Sequence, residues 1–115
     1  MTSDGMIAAT TRFDRKAQMA IKVIVELTAH PGRRDELRAA FERMLAEHGS
    51  EVPGFLGSNR YERLDDPDVL VEIADWESAQ ARDAHMKDAA AAGTYAPLLD
   101  LVAAPFQVTV LSALT

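Results

Sequence analysis

The chain's side chains with useful chemistry are few: three histidines, two tyrosines, one tryptophan and no cysteine. Trp76 and His85 flank a joint where an apolar strand ends and an Ala-rich helix begins. This places both near one cavity between a sheet and its covering helices. Asn59 and Tyr61 sit two positions apart on another strand, on the side expected to face the same helices. A buried amide or phenol without a partner costs about 1–3 kcal/mol. The pair therefore needs backbone, each other or a ligand. Histidine titrates nearest neutrality and can pass a proton there. Without cysteine there are no disulfides, no thiolate chemistry and no Cys-based metal sites. The three histidines show no HxxxH or HxH spacing, so no metal set is expected. His30 and His48 read as loop and helix-end residues.

The elements that must hold these residues follow from periodicity. Residues 20–28 (AIKVIVELT) are β-branched and alternate, which predicts a first strand; His30-Pro31-Gly32 ends it. Leu37, Ala40, Phe41, Met44, Leu45 and His48 make one stripe of a helix over 33–48. Asp35 and Glu36 suit its first turn, and Gly49 is expected as a left-handed stop. A second strand over 55–64 and a third over 69–76 flank the turn Asp65-Asp66-Pro67-Asp68. A helix over 78–91, closed by Gly93, is built from Ala and polar residues and has only a small core face. Thr94 is expected to cap a short third helix with Tyr95, Leu98, Leu99 and Val102 on its buried side. Tyr95 there is core or lines the pocket mouth. Residues 106–114 form the last strand. The order β-α-β-β-α-β is the split βαβ, ferredoxin-like unit. It is an α+β fold with a four-stranded antiparallel sheet and helices on one face.

Length and charge narrow the field. A chain of 115 residues suits one domain. Twelve basic against eighteen acidic residues give a net charge of −6 with no basic stripe, which argues against nucleic acid. No apolar run reaches the ~20 residues of a membrane helix. In residues 1–18 the charges follow the apolar part, contrary to a secretion signal, so a cytoplasmic chain is expected. Residues 1–19 read as an N-terminal arm, either an extension or a segment packing on a partner, and 20–115 as the domain.

The expected helix-facing set is Ile21/Val23/Val25/Leu27, Val69/Val71/Ile73 and Phe106/Val108/Val110, joined by Phe55, Gly57, Asn59 and Tyr61. The other face then carries Lys22, Ile24, Glu26, Arg60, Glu62, Leu70, Glu72, Trp76, Thr109 and Leu111. Its aliphatic and aromatic groups in one patch favour stacking against a second copy, a homodimer that would also use Trp76.

With Asp75-Trp76-Glu77-Ser78 at a strand end, then Ala84-His85-Met86, Tyr95 and Pro105-Phe106, the chain over 20–114 resembles the antibiotic biosynthesis monooxygenases of the dimeric α+β barrel superfamily. The resemblance implies cofactor-free oxygenation of a phenolic or hydroquinone aromatic, of polyketide or quinol type, with O2 as oxidant. It casts His85 as base or proton shuttle and Asn59 and Tyr61 as the groups that orient substrate oxygens. Trp76 and Tyr95 become candidate walls of the substrate pocket. No cofactor and no metal are implied. Haem-degrading relatives use an Asn on the first strand, and Val23-Ile24-Val25-Glu26 has none. A non-catalytic aromatic-binding module and an isomerase or cyclase on the same scaffold are the competing readings. A pocket of a few hundred Å3 reaching Asn59, Tyr61 and His85 is what chemistry would need.

Overall fold

The computed structural model describes residues 20–114; the arm expected over 1–19 lies outside the described residues. Strand β1 (Ile21–Thr28) leads to helix α1 (Arg34–His48) and a 3₁₀ turn (Gly49–Glu51). Strands β2 (Phe55–Arg63) and β3 (Asp66–Trp76) form a hairpin. Helices α2 (Ala79–Ala92) and α3 (Ala96–Leu99) precede strand β4 (Gln107–Ser112). The sheet order is β2-β3-β1-β4 and every neighbouring pair is antiparallel. The expected ferredoxin-like α+β fold is what the chain adopts. Among the described residues no helix is long and apolar enough to cross a membrane.

Strand phase departs from expectation in two of four strands. Val23 pairs with Ala74, Val25 with Glu72 and Leu27 with Leu70. Leu70, Glu72, Ala74 and Trp76 therefore share the helix-facing side with the buried residues of β1, and all four are buried. Val69, Val71 and Ile73 point the other way. In β2 a bulge between Phe55 and Gly57 breaks the alternation, because the extra residue, Leu56, has no partner. Phe55 stays on the helix side opposite Trp76, while Gly57, Asn59 and Tyr61 pass to the outer side. Ser58, Arg60 and Glu62 take the helix-side positions instead. Alternation alone cannot reveal a bulge, and a one-residue slip moves every side chain to the other face. β1 keeps its expected phase, and Val108 and Val110 of β4 pair with Val25 and Val23 on the helix side.

The layer between sheet and helices has two apolar clusters. One joins Leu27, Ala29 and Leu70 to Leu37 and Phe41 of α1 and Leu98 of α3. The other joins Ile21, Val23, Ala74 and Trp76, with Phe55, Val52 and Ala81 packed on it. Along the outer strand β2, ion pairs replace apolar contacts: Arg34 Nη1 reaches Glu62 at 2.8 Å and Arg60 Nε reaches Glu42 at 3.2 Å. Two terminal details also differ from expectation. Gly49 is right-handed (φ −59°) and continues into the 3₁₀ turn. Tyr95, not Thr94, occupies the cap of α3, which is only four residues long.

Helix α2 buries little besides Ala89, so its position is set at its ends. Ser78 Oγ accepts from the Ala81 N–H at 3.1 Å, and the Glu77 N–H donates to Gly54 O at 2.8 Å. At its far end Gly93 is left-handed (φ 67°), and the Thr94 N–H returns to Ala89 O at 3.0 Å. Between these anchors the helix carries His85 toward the sheet.

Candidate active site

A cavity of about 50 Å3 separates the two apolar clusters. Its floor is Glu72 and Trp76 of β3. One wall is Phe41, Met44, Leu45 and His48 of α1, and the rest is Gly49, Val52, Phe55, His85, Thr94 and Tyr95. It opens onto a larger hollow of about 350 Å3 between the end of α1 and the face of α2, bordered by Glu51, Pro53, Ala84 and Asp88. His48, Val52, His85 and Thr94 line both. The inner cavity has room for a few water molecules. The outer hollow reaches the size of small-molecule sites. His85 stands at the junction.

The polar contact at the centre of the site joins two chain segments. His85 Nε2 lies 2.8 Å from Tyr95 Oη, the imidazole edge-on to the phenol with centroids 6.0 Å apart. On its other side the imidazole lies tilted over Trp76, centroids 5.5 Å apart, and Phe55 meets Trp76 edge-on at 5.2 Å. Burial holds the His85 pKa below its usual value. The Arg82 charge adds to this and Asp88 opposes it. The imidazole is thus neutral near pH 7. Burial also pushes the Tyr95 phenol up to about 12, with the Glu72 charge adding to the rise, so it keeps its proton. Either group can supply the hydrogen of this contact: with Nε2–H donating to Tyr95 Oη, the Nδ1 lone pair and the phenolic hydrogen are both left free for a substrate.

Glu72 is a further titratable group here. It is 8 % exposed, and burial raises its pKa. Ser58 and the Arg60 and Arg82 guanidiniums pull it the other way with smaller effect. Glu72, His85 and Tyr95, each biased by burial toward its uncharged form, make this apolar cavity a site able to accept or return a proton.

Residues 20–95, from the start of β1 to Tyr95, match the antibiotic biosynthesis monooxygenase family. The chain belongs to that family. Solved structures agree on the fold. The chain is similar to SnoaB, a cofactor-independent oxygenase from Streptomyces nogalater, at 20 % identity and TM-score 0.68 over 83 % of this chain and 93 % of that one. It is similar to Rv0793 of Mycobacterium tuberculosis at 27 % identity and TM-score 0.67 over 84 % and 96 %. A conserved protein from Methanosarcina mazei matches at 15 % identity and TM-score 0.72 over 86 % and 97 %. No curated protein sequence matches.

In this member of the monooxygenase family the residues singled out from sequence divide in two. His85, Trp76 and Tyr95 meet in one cavity. The expectation that Trp76 belongs to the outer face does not hold, because it is 4 % exposed and faces the helices. Asn59 and Tyr61 are not part of the cavity: the β2 bulge turns them to the exposed outer face beside Ile73 and Val71, so the expected pocket of a few hundred Å3 joining them to His85 does not form, and the space at His85 is the inner cavity of about 50 Å3 with the outer hollow. Sequence reasoning missed Glu72 and His48. Glu72 carried a signal, since it alternates with Leu70, Ala74 and Trp76, and Trp76 could have fixed the phase. His48 carried one too, as the last residue of the α1 stripe. Among the described residues no cluster of three metal-ligating side chains occurs.

Proposed function

We propose that this chain is a cofactor-independent monooxygenase that oxidises a phenolic or hydroquinone aromatic with O2. The observation that carries the reading is the His85–Tyr95 pair at 2.8 Å, set against Trp76 in an apolar cavity. The substrate ring enters from the outer hollow and passes His85. With Nε2–H donating to Tyr95 Oη, the neutral imidazole accepts the phenolic proton at Nδ1, and the Tyr95 O–H, which stays protonated, donates to the oxygen that becomes negative. The electron-rich ring carbon then bonds to O2, and the peroxide anion so formed takes the proton back from the His85 imidazolium to give a hydroperoxide. Loss of water from the resulting hydroperoxide leaves one oxygen atom on the ring as a quinone carbonyl, so the second oxygen atom and the two hydrogens depart together. Trp76 and Phe55 hold the ring plane and keep water out.

The test is oxygen uptake with a panel of quinols by protein freed of metal and flavin. The reading expects uptake that His85→Ala abolishes while the far-UV circular dichroism spectrum is unchanged. Turnover that persists without oxygen would instead assign isomerase or cyclase chemistry. Binding without turnover would assign a carrier.

The same reading makes the active unit a homodimer. The outer sheet face presents Ile24, Tyr61, Val71, Ile73 and Leu111, ringed by the Lys22–Asp75 ion pair at 2.7 Å and the Arg63–Glu26 pair at 3.6 Å. With Val71 and Ile73 turned outward it is more apolar than the sequence implied. Light scattering at micromolar concentration should return twice the chain mass, and Val71→Lys should return the chain mass.

A further inference from the structure

Glu72 is left without a task by the oxygenation chemistry. It sits at the deep end of the site, lining the inner cavity but not the outer hollow, whereas His85 borders both. It is more than nine-tenths buried. Arg60, the cation across the strand pair, spends its hydrogen bonds on Glu42 and on the carbonyl and hydroxyl of Ser58. The Ser58 hydroxyl is the side-chain hydrogen-bond partner of the Glu72 carboxyl, and among the described residues no fully buried side-chain oxygen or nitrogen is left without one. A carboxylate has more acceptor positions than one hydroxyl fills, and those that face the inner cavity are met by water or by a donor on a ligand. The wall around it is apolar: Phe41, Met44 and Leu45 from α1 and the Tyr95 ring.

We propose that the Glu72 carboxyl binds the leading end of the substrate, accepting a hydrogen bond from an O–H or N–H group that has passed His85 into the inner cavity. The substrate class is thereby narrowed. It is a planar aromatic with two separate donor groups, one deprotonated at His85 and a second held by Glu72 further in. A simple phenol fills only the first position. A group without a donor hydrogen, such as a methyl ether, gives an ionised carboxylate nothing to accept and displaces the water that would otherwise fill that place. Selection of this kind is steep, because a site built to hydrogen-bond a group is penalised by the analogue that lacks it. Glu72 is here a binding residue, distinct from the base.

The inference rests on the aromatic-site reading above, and calorimetric titration separates the two. The probes are 1,5-dihydroxynaphthalene, 1-naphthol and 1,5-dimethoxynaphthalene, titrated without oxygen into wild type, Glu72→Leu and Glu72→Gln. Leucine fills nearly the same volume without polar atoms, and the amide keeps one acceptor oxygen; circular dichroism verifies that both variants fold. The diol is expected to bind wild type at least ten-fold more tightly than 1-naphthol. That margin should vanish in Glu72→Leu and persist in reduced form in Glu72→Gln, while 1-naphthol affinity changes by less than three-fold. A margin undiminished in folded Glu72→Leu overturns the role of Glu72 and leaves the aromatic site standing. Failure of all three compounds to bind wild type overturns both.

Discussion

Helix α2 holds His85 over the sheet, and its position depends on a close approach at Gly54. A β-carbon built on Gly54 would lie 2.5 Å from the Ala81 β-carbon, well inside the ~3.5–4.0 Å optimum for carbon atoms. Ala81 is one helical turn before His85 and on the same side of α2. The methyl group is fixed to the backbone, so relief requires α2 itself to move. Gly54 also has φ +83°. The Gly54→Ala variant therefore carries two costs: about 1–2 kcal/mol for a side chain in left-handed backbone and about 1–3 kcal/mol for overpacking. Gly32 separates them. Its φ of +77° is similar, but a β-carbon there would meet nothing within 4 Å. Gly32→Ala should lose only the first part, and Gly54→Ala about 1–3 kcal/mol more. Urea unfolding followed by fluorescence of Trp76, the sole tryptophan, measures both. Equal losses in the two variants would refute the claim that contact with Ala81 positions α2.

Three further outcomes follow from the site. The rate should fall on acidification with a midpoint below the value of a free histidine, because burial holds the His85 pKa down and only neutral imidazole accepts a proton; the alkaline side should stay flat well past pH 9, since Tyr95 titrates at about 12. A kcat/KM profile with its midpoint above that of a free histidine would contradict this. Tyr95→Phe keeps the ring and removes the bond to Nε2, so kcat/KM should drop by roughly 5–10-fold, the equivalent of a net hydrogen bond of about 1–1.5 kcal/mol, with little change in ring binding. In Glu72 the pKa is raised by burial, so the folded state holds that proton more tightly than the unfolded chain. Its penalty is absent at pH values below the unfolded pKa and grows as pH rises through the folded one. Glu72→Gln should therefore match wild type in acid and exceed it at neutral pH, by about 1.4 kcal/mol for each pKa unit of elevation; stability curves at pH 4 and pH 8 test it.

The fold was legible because each element announced itself locally. β-branched alternation marked β1, the six-residue stripe marked α1, and Gly93 marked the end of α2. The site was legible where it depended on those elements, so the helix position of His85 led to the cavity, whereas strand phase put Trp76 on the outer face and only the structure brings it to the same cavity. It was illegible where it depended on strand phase. β3 is apolar on both sides, and a lone glutamate suggested the solvent side. The structure instead buries Glu72 beside Tyr95 and turns Val71 and Ile73 outward. In β2 the bulge at Leu56 reversed the direction of Asn59 and Tyr61, a change of one residue that composition does not encode. The His85–Tyr95 bond brings together residues of α2 and the following turn whose side chains meet only once Gly93 reverses the chain.

The central claim, that the His85 cavity inserts oxygen into an aromatic ring, is tested most directly by turnover under ¹⁸O2. Wild-type protein stripped of metal and flavin should give a quinone heavier by one ¹⁸O atom, and His85→Ala should give none. Oxidised product without ¹⁸O from the wild type, or equal labelling from His85→Ala, would contradict it.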